Sequence, residues 1–365
     1  MLIFSRDIIP GFLTLPKKNG MYIYKNYTIK GVLEFSGFHL LWLALWAIIV
    51  ASLYEFTPVR DFNVPWLPIS VIGTSVAFYV GFKNNQAYDR YWEARKIWGS
   101  IINSSRMWGS MVEAYIQNWE AENKHSQTEI AAIKKQLIYR HLAWIYTLRE
   151  QLLQVSSWEH QGLENHVGNL NRGRAQKAGI GLVESGITAK RQAKYLSETE
   201  LEKLPEFKNA ATQLNHIQAL ELTNLVKIGA LDHFRHVELQ KILNDFYDHQ
   251  GKAERIKKTP LPRQYAAVGF IFVCIFILLF PFSMVSEFAK IGSFGIWLSV
   301  PFVTLTGWIF VMMELIGDYT ENPFEGLSND VPMNSICRTI EIDLLQMLGE
   351  TDLPEVIKPV NGYLM

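Results

Sequence analysis

Cysteine is scarce in this sequence, and net charge is absent. Two cysteines occur among 365 residues, Cys274 in an apolar run and Cys337 in a polar tail, so neither a disulfide framework nor a cysteine-based metal site is supported. The 35 basic residues are balanced by 35 acidic ones, which argues against nucleic acid as a partner. Ser-His-Asp, HExxH, CxxC and phosphate-loop sequences are missing as well. We therefore expect no enzyme activity, no cofactor and no metal.

Long apolar runs, by contrast, are prominent. Hydrophobic residues make up 49% of the chain although 19% of it is charged, because the two classes are segregated along the sequence. Four runs approach the roughly 20 residues that a membrane-spanning helix needs. They lie at about residues 36–54, 66–82, 264–282 and 294–316. The sequence predicts an all-α integral membrane protein with four transmembrane helices.

Basic residues flank the two pairs of spans rather than separating their members. Four lysines lie between residues 17 and 30, before the first span, and five basic residues lie between residues 252 and 263, before the third. The connection between the last two spans carries only Glu287 and Lys290. Because positive residues are retained on the cytoplasmic side, we expect both termini and the polar middle of the chain to be cytoplasmic.

This topology divides the chain into five segments. Residues 1–35 are expected to form an N-terminal cytosolic segment near the membrane surface, and residues 36–82 the first two spans. Residues 83–263 would form a helical cytosolic domain. The last two spans occupy residues 264–316, and residues 317–365 form a cytosolic tail.

The polar segments carry their own helix signals. An apolar stripe running from Ile130 to Leu152 predicts one long helix, and a second is expected over residues 207–249. Ser197 and Glu200 have the spacing of a capping box. The tail is expected to hold an amphipathic helix, whose apolar side carries Ile336, Ile340, Leu344 and Leu345.

The second span continues without interruption into a charged helix. Within it Thr74, Phe78 and Phe82 recur every four residues on one face, flanked by Gly73 and Gly81, which would allow neighbouring helices to approach closely. This face could line a narrow passage. The alternative is that the two phenylalanines face lipid or a helix-bundle core, as most membrane phenylalanines do.

Charged residues close to the ends of the second and fourth spans are candidates for the inner mouth of such a passage. A carboxylate at the depth of Glu314 is costly unless it faces protein or water. The alternative for Glu314 is an interfacial position in which it pairs with an arginine of the charged helix. The candidates are Lys83, Asp89, Arg90, Glu93 and Glu314.

Two long blocks resemble the bestrophin family, and specifically its prokaryotic branch. They are GFKNNQAYDRYWEARKIWG at residues 81–99 and ENPFEGLSNDVPMNSICRTIEIDL at residues 321–344. They follow the second and fourth spans, and the similarity in layout covers nearly the whole chain. The resemblance implies a homopentameric ion channel in a bacterial inner membrane, with membrane lipid and small monovalent ions as its partners and one pore on the five-fold axis.

The resemblance also implies which residues form the pore. The family's neck is lined by three residues of the second span, and these positions fall on Thr74, Phe78 and Phe82. Five copies would form stacked rings that gate by dewetting, and inward-pointing aromatic edges would favour anions. Thr74 departs from the aliphatic or aromatic residue usual at its position. A second, cytosolic constriction maps onto Ile217.

Calcium control is the feature on which this chain departs most from the family. Animal members carry a run of consecutive acidic residues just after the Asn-Pro-Phe turn, whereas here the corresponding stretch offers only Glu325 and Asp330. Calcium takes six to eight oxygen ligands. These two residues are therefore weak calcium candidates, and we expect weak calcium control or none.

Three functions remain open from the sequence, whereas an enzyme acting on lipid or isoprenoid is disfavoured because the carboxylates of DYTEN at residues 318–322 are too sparse to bind metal. Chloride or other anion conduction is favoured, because it is the commoner behaviour of the family. A monovalent-cation channel of the same fold is the first alternative, since the charges near the inner mouth include both signs. A non-conducting membrane scaffold or sensor is the second.

Overall fold

The computed structural model describes residues 21–23, 26, 29–58, 64–119, 125–160, 186–327, 330–359 and 363–364. Most of the predicted N-terminal segment therefore lies outside the described residues. The elements follow in chain order. They are β1 (Met21–Tyr22), α1 (Ile29–Phe56), α2 (Trp66–Tyr115), α3 (Gln127–Leu153), α4 (Ile187–Tyr195), α5 (Glu198–Lys203), a 3-10 turn (Leu204–Glu206), α6 (Ala210–Lys227), α7 (His233–Lys258), α8 (Arg263–Ala289), α9 (Ser293–Asp318), α10 (Met333–Met347) and β2 (Tyr363–Leu364).

The fold is helical, with one small exception to the all-α expectation. Met21 pairs with Leu364 and Tyr22 with Tyr363 in an antiparallel two-stranded ladder. Extended backbone leaves its N–H and C=O groups without intrahelical partners, so two such segments satisfy each other by pairing. The rest of the described chain contains no strand.

Four helices are long and apolar enough to cross a membrane, as the sequence predicts. The candidate spans are 22 residues of α1 (Phe35–Phe56), the apolar part of the 50-residue helix α2, and the whole of α8 and α9. Helix α2 is unbroken from Trp66 to Tyr115, so the apolar and charged halves do share one helix. Pro68 is tolerated because it lies in the first turn, where its missing N–H would have no intrahelical partner.

The chain forms two compact units, and α2 contributes residues to both. The unit that we call the span unit comprises Tyr24–Tyr91 and Pro260–Asn322. Its core is made by apolar side chains of α1, α2, α8 and α9, among them Leu43, Val76 and Phe276.

A proline inside α8 shows how the span unit satisfies its backbone. Pro281 lacks an N–H, which leaves the carbonyl four residues earlier without its usual helical donor. That carbonyl belongs to Ile277, and the indole Nε1 of Trp46 on α1 donates to it at 3.3 Å. A neighbouring helix thus supplies the hydrogen bond that proline removes, as a span in lipid requires.

The second unit, which we call the polar unit, comprises the described parts of Met1–Ile23, Trp92–Thr259 and Pro323–Met365. Helix α3 runs through it, capped by Ser126 and Glu129 in a capping box. The ring of His141 on α3 lies 4.5 Å from that of Phe246 and stacks 5.3 Å from that of Trp144. Burial lowers the pKa of His141 to about 3, so its imidazole is neutral in this core.

Several local predictions for the polar unit are confirmed. Ser197 and Glu200 form the expected capping box at the start of α5. The expected tail helix is α10, and its predicted apolar side is buried. The buried residues of that side are Ile336, Ile340, Leu344 and Leu345.

The prediction of one helix over residues 207–249 is wrong. The chain breaks after Lys227, where Gly229 adopts a φ of 75°, and a new helix begins at His233. The carboxylate of Asp232 accepts hydrogen bonds from the N–H groups of Phe234 and Arg235. A left-handed glycine followed by an aspartate cap therefore separates α6 from α7.

Candidate functional site

The predicted stripe of Thr74, Phe78 and Phe82 forms one exposed face of α2. Phe78 is 66% exposed and Phe82 60%, and their ring centroids lie 6.2 Å apart. Thr74 is also exposed, and its hydroxyl donates to the carbonyl of Ser70 at 2.9 Å. Because the hydroxyl proton of Thr74 is donated within the helix, only the lone pairs of the hydroxyl oxygen remain available as hydrogen-bond acceptors on the exposed face. The described residues therefore leave more than half of each phenylalanine side chain uncovered.

The opposite side of α2 is packed inside the span unit. Val76 and Val80 are buried in its core, and Gly73 lies against Phe276 of α8. A Cβ atom added to Gly73 would come within 2.8 Å of the Phe276 ring, so glycine permits the close approach that the sequence predicts there. A Cβ atom at Gly81 would meet nothing within 4 Å, so no such approach occurs at that position among the described residues.

The last turn of the apolar part of α2 is joined to α9 by a buried ion pair. The Lys83 ammonium lies 2.5 Å from the carboxylate of Glu314, and the two side chains are 1% and 7% exposed. Glu314 thus pairs with a lysine of α2 rather than with the arginine considered above. Two of the five expected mouth charges neutralise each other in the protein interior.

Asn84 and Gly317 complete this junction. The Asn84 side chain donates from Nδ2 to the carbonyl of Met313 at 2.9 Å. A Cβ atom at Gly317 would lie 2.1 Å from the Asn84 side-chain oxygen, so a larger residue at this point of α9 would force the Asn84 side chain to move. The sequence did not indicate that these two residues meet, because neither an asparagine nor a glycine in a helix indicates its partner.

The remaining mouth candidates occupy more solvent-accessible positions. Asp89 is exposed. Arg90 donates from Nε to the backbone carbonyl of Glu321 at 2.8 Å. Glu93, in the polar unit, forms an ion pair of 2.6 Å with Arg255, and both side chains are largely exposed.

Ile217, the candidate for a second constriction, lies on α6. Its side chain is half-buried, between the exposed His216 and the buried Gln218. It therefore lies at the border between the packed and open faces of α6.

Comparison with known proteins identifies the family. The family model described as "Bacterial/Fungal Bestrophin protein" matches residues 30–346. The chain belongs to the bacterial and fungal bestrophin family. The junction formed by Lys83, Asn84 and Glu314 and the exposed stripe on α2 are thus features of a chain of this family.

Named relatives include channel-forming proteins of bacteria. The "Voltage-dependent anion channel-forming protein YneE" of Escherichia coli K12 is 26% identical over 313 residues, which is 83% of this chain and 86% of the relative. A protein of Mesorhizobium japonicum that is also described as voltage-dependent anion channel-forming is 24% identical over 302 residues, covering 83% and 80%. A crystal structure of a bestrophin homologue from Klebsiella pneumoniae has a TM-score of 0.68 at 20% identity, covering 86% of this chain and 98% of that one. This likeness shows that the folds agree.

The two weak calcium candidates are both buried in the polar unit and are engaged by protein donors. Asp330 accepts from the N–H groups of Phe324, Gly326 and Val331 at 2.6 to 2.9 Å. Glu325 accepts from the backbone N–H of His160 and lies 3.0 Å from its Nδ1. Burial raises the pKa of Asp330 to about 6, although the three N–H groups oppose that shift.

The turn after α9 is further held by a buried ion pair that the sequence did not reveal. Lys257 of α7 lies 2.5 Å from Glu159, and both side chains are at most 5% exposed. Burial raises the pKa of Glu159 to about 7 in spite of this lysine. The Lys257 ammonium also donates to the carbonyl of Phe324 at 3.4 Å. The carboxylates of Glu325 and Asp330 therefore already accept from protein donors, and the Lys257 ammonium lies at the same turn.

Proposed function

We propose that this chain is one subunit of a homopentameric channel that conducts small monovalent anions, chloride first. Its neck would be lined by Thr74, Phe78 and Phe82. The observation that carries the proposal is the exposed stripe of these three residues on a helix whose other side is packed. The family membership and the names of the bacterial relatives support anions as the permeating ions.

The stripe has the chemistry of a hydrophobic gate. Five copies around an axis would place rings of Phe78 and Phe82 one helical turn apart, with the Thr74 oxygens forming a more polar ring beyond them. An ion that enters a narrow phenylalanine ring loses water and gains little in return, so such a ring closes by dewetting. Aromatic edges carry positive density, which favours anions if those edges face the axis.

The remaining assignments follow the same arrangement. Residues 83–263 and 317–365 would form the cytosolic domain, with both termini cytoplasmic in a bacterial inner membrane. Ile217 would line a second constriction there. Asp89, Arg90 and Glu93 would lie near the inner mouth, whereas Lys83 and Glu314 would act mainly by holding α2 against α9, because each is buried and neutralised by the other.

The proposal is tested by measuring currents of the purified protein in planar bilayers under a salt gradient. We expect wild-type currents to reverse near the chloride equilibrium potential. Phe82→Ala removes the phenyl groups from one of the two constrictions, which should make the neck wider and easier to wet. It should therefore raise the open probability at a given voltage. Phe294→Ala is the matched control, because Phe294 is a 76% exposed phenylalanine of the span unit outside the stripe. It should behave as wild type.

Other outcomes would point elsewhere. Reversal near the potassium or sodium potential would replace the anion channel by the cation channel of the same fold. If Phe82→Ala and Phe294→Ala changed the current equally, the stripe would not be the neck. Background flux from all three proteins would favour the non-conducting scaffold.

A further inference from the structure

A buried arginine on α3 lacks the partners that such a residue normally has. Arg149 is 1% exposed and is among the largest fully buried side chains of the described chain. Its Nε and Nη2 atoms are buried and find no hydrogen-bond acceptor among the residues that the structure describes. Arginine does not give up its proton in proteins, so the charge remains.

Its ionisable neighbours do not place a counter-charge in contact with the guanidinium. Burial raises the pKa of the Cys337 thiol to about 12, so that thiol is neutral. Burial also raises the pKa of Tyr146, whose hydroxyl donates to Glu341 at 2.7 Å. Glu150, the next residue along α3, favours the charged guanidinium electrostatically, but the two side chains form no ion pair among the described residues.

The nearby buried carboxylate of Glu341 is already occupied. Besides Tyr146, it accepts from the hydroxyl of Tyr195. Arg191 lies 2.8 Å and Arg338 2.9 Å from its oxygens. Two guanidinium groups and two hydroxyls therefore saturate this carboxylate.

A second arginine of the same helix shows the arrangement that Arg149 lacks. Arg140 is 3% exposed, and its Nε lies 2.6 Å from the Glu200 carboxylate. Its Nη1 donates to the side-chain oxygen of Gln218 at 2.7 Å. An unpaired charge in a protein interior is strongly destabilising unless something compensates it. The protein compensates Arg140 with its own groups, whereas the described residues give the Nε and Nη2 atoms of Arg149 no acceptor.

We propose that Arg149 binds a small inorganic anion, chloride in the first instance, through its Nε and Nη2 atoms. A bound water could accept these hydrogen bonds but would leave the charge uncompensated. The ligand must be small, because the guanidinium is almost completely enclosed. The site lies in the polar unit, next to Cys337 of α10, so binding would stabilise the packing of α10 against α3. It does not depend on conduction through the neck.

The test is thermal unfolding of the full-length protein in detergent at fixed ionic strength, with gluconate replaced stepwise by chloride. For wild type we expect the midpoint to rise by roughly 2–4 °C per tenfold increase in chloride above the dissociation constant. Arg149→Met should abolish this dependence. Arg140→Met is the matched control: it removes an equally buried guanidinium and lowers the midpoint, but the chloride dependence should persist.

Anomalous scattering from crystals of the wild-type protein grown in bromide tests the site directly, without relying on the stability of a variant. An anomalous peak within hydrogen-bonding distance of Nε and Nη2 is expected. A wild-type midpoint that is independent of chloride, or Arg149→Met protein that keeps the full dependence, would overturn the proposal. So would the absence of the bromide peak. Bilayer currents are recorded separately, so loss of this site leaves the proposed conduction standing.

Discussion

Breaking the buried ion pair between Lys83 and Glu314 should destabilise the span unit strongly. Lys83→Met leaves a carboxylate, and Glu314→Met leaves an ammonium, in a position where the side chains are 1% and 7% exposed. Removing one partner of a buried pair typically costs about 3–5 kcal/mol, because the remaining charge has lost its counter-charge. The unfolding midpoint should fall by on the order of 10 °C in each single variant.

The double variant separates this explanation from simple loss of packing. With both charges replaced by methionine, no buried charge remains, and the side chains keep a similar volume. Such replacements are often nearly neutral, so the double variant should be more stable than either single variant. The coupling free energy obtained from the four proteins should therefore be about 3 kcal/mol or more, at the upper end of measured pairs.

The assay is thermal unfolding of the purified protein in detergent, with the exposed pair Glu93 and Arg255 as control. These side chains are 42% and 63% exposed and lie 2.6 Å apart. Their replacement by methionine should cost about 0–1 kcal/mol each. If the Lys83 and Glu314 variants behaved like these, with small and additive effects, the junction would be hydrated and the reasoning from burial would be refuted.

Three further predictions concern other parts of the chain. Gly73→Ala should lower the free energy of unfolding by about 1–3 kcal/mol, because the added methyl group overpacks Phe276, and Phe276→Leu should partly restore it. Gly251→Ala is the control: its added methyl group meets nothing within 4 Å, so the free energy of unfolding should rise by up to about 1 kcal/mol. Thermal unfolding measures both changes. Because the pKa of Glu159 is raised to about 7 in the folded protein, its protonation stabilises the fold fully below about pH 4.5, and this stabilisation is lost as the pH rises through about 7. The unfolding midpoint should therefore fall between pH 5 and 8 in the wild type, and this fall should be smaller in Glu159→Gln. Bilayer currents should be the same in millimolar calcium and in chelator, and a marked calcium dependence would contradict the account of the turn at Glu325 and Asp330.

The sequence was informative wherever one short-range signal decides a structure. Apolar length located the four spans, since a span must satisfy its backbone within one helix. The spacing of Ser197 and Glu200 predicted a capping box that the structure contains. The break between α6 and α7 was missed although Gly229 and Asp232 provide the signals for it, because a single glycine within a helical pattern does not by itself end a helix.

Short-range signals do not identify contacts between residues that are far apart in the sequence. Glu314 was expected to face an ion path or an arginine, yet its partner is Lys83, 231 positions earlier in the chain. Each residue alone is a charge near the end of a span, and its sequence neighbourhood does not state which face of the helix it occupies. Only the packing of α9 against α2 brings the two together.

Helix α3 contains two buried arginines whose surroundings the sequence does not predict. Its apolar stripe predicts one buried side, but the helix is also buried at its polar positions, including Arg140, His141 and Arg149. In sequence the two arginines are equivalent, each a basic residue between the positions of the stripe. In the structure Glu200 and Gln218 compensate one of them from 60 and 78 residues away, and the described chain offers the other no acceptor. Amphipathic periodicity assigns polar residues to water by default, so it cannot distinguish a structural ion pair from a site for a dissolved anion. That distinction rests on the count of donors and acceptors around each buried group.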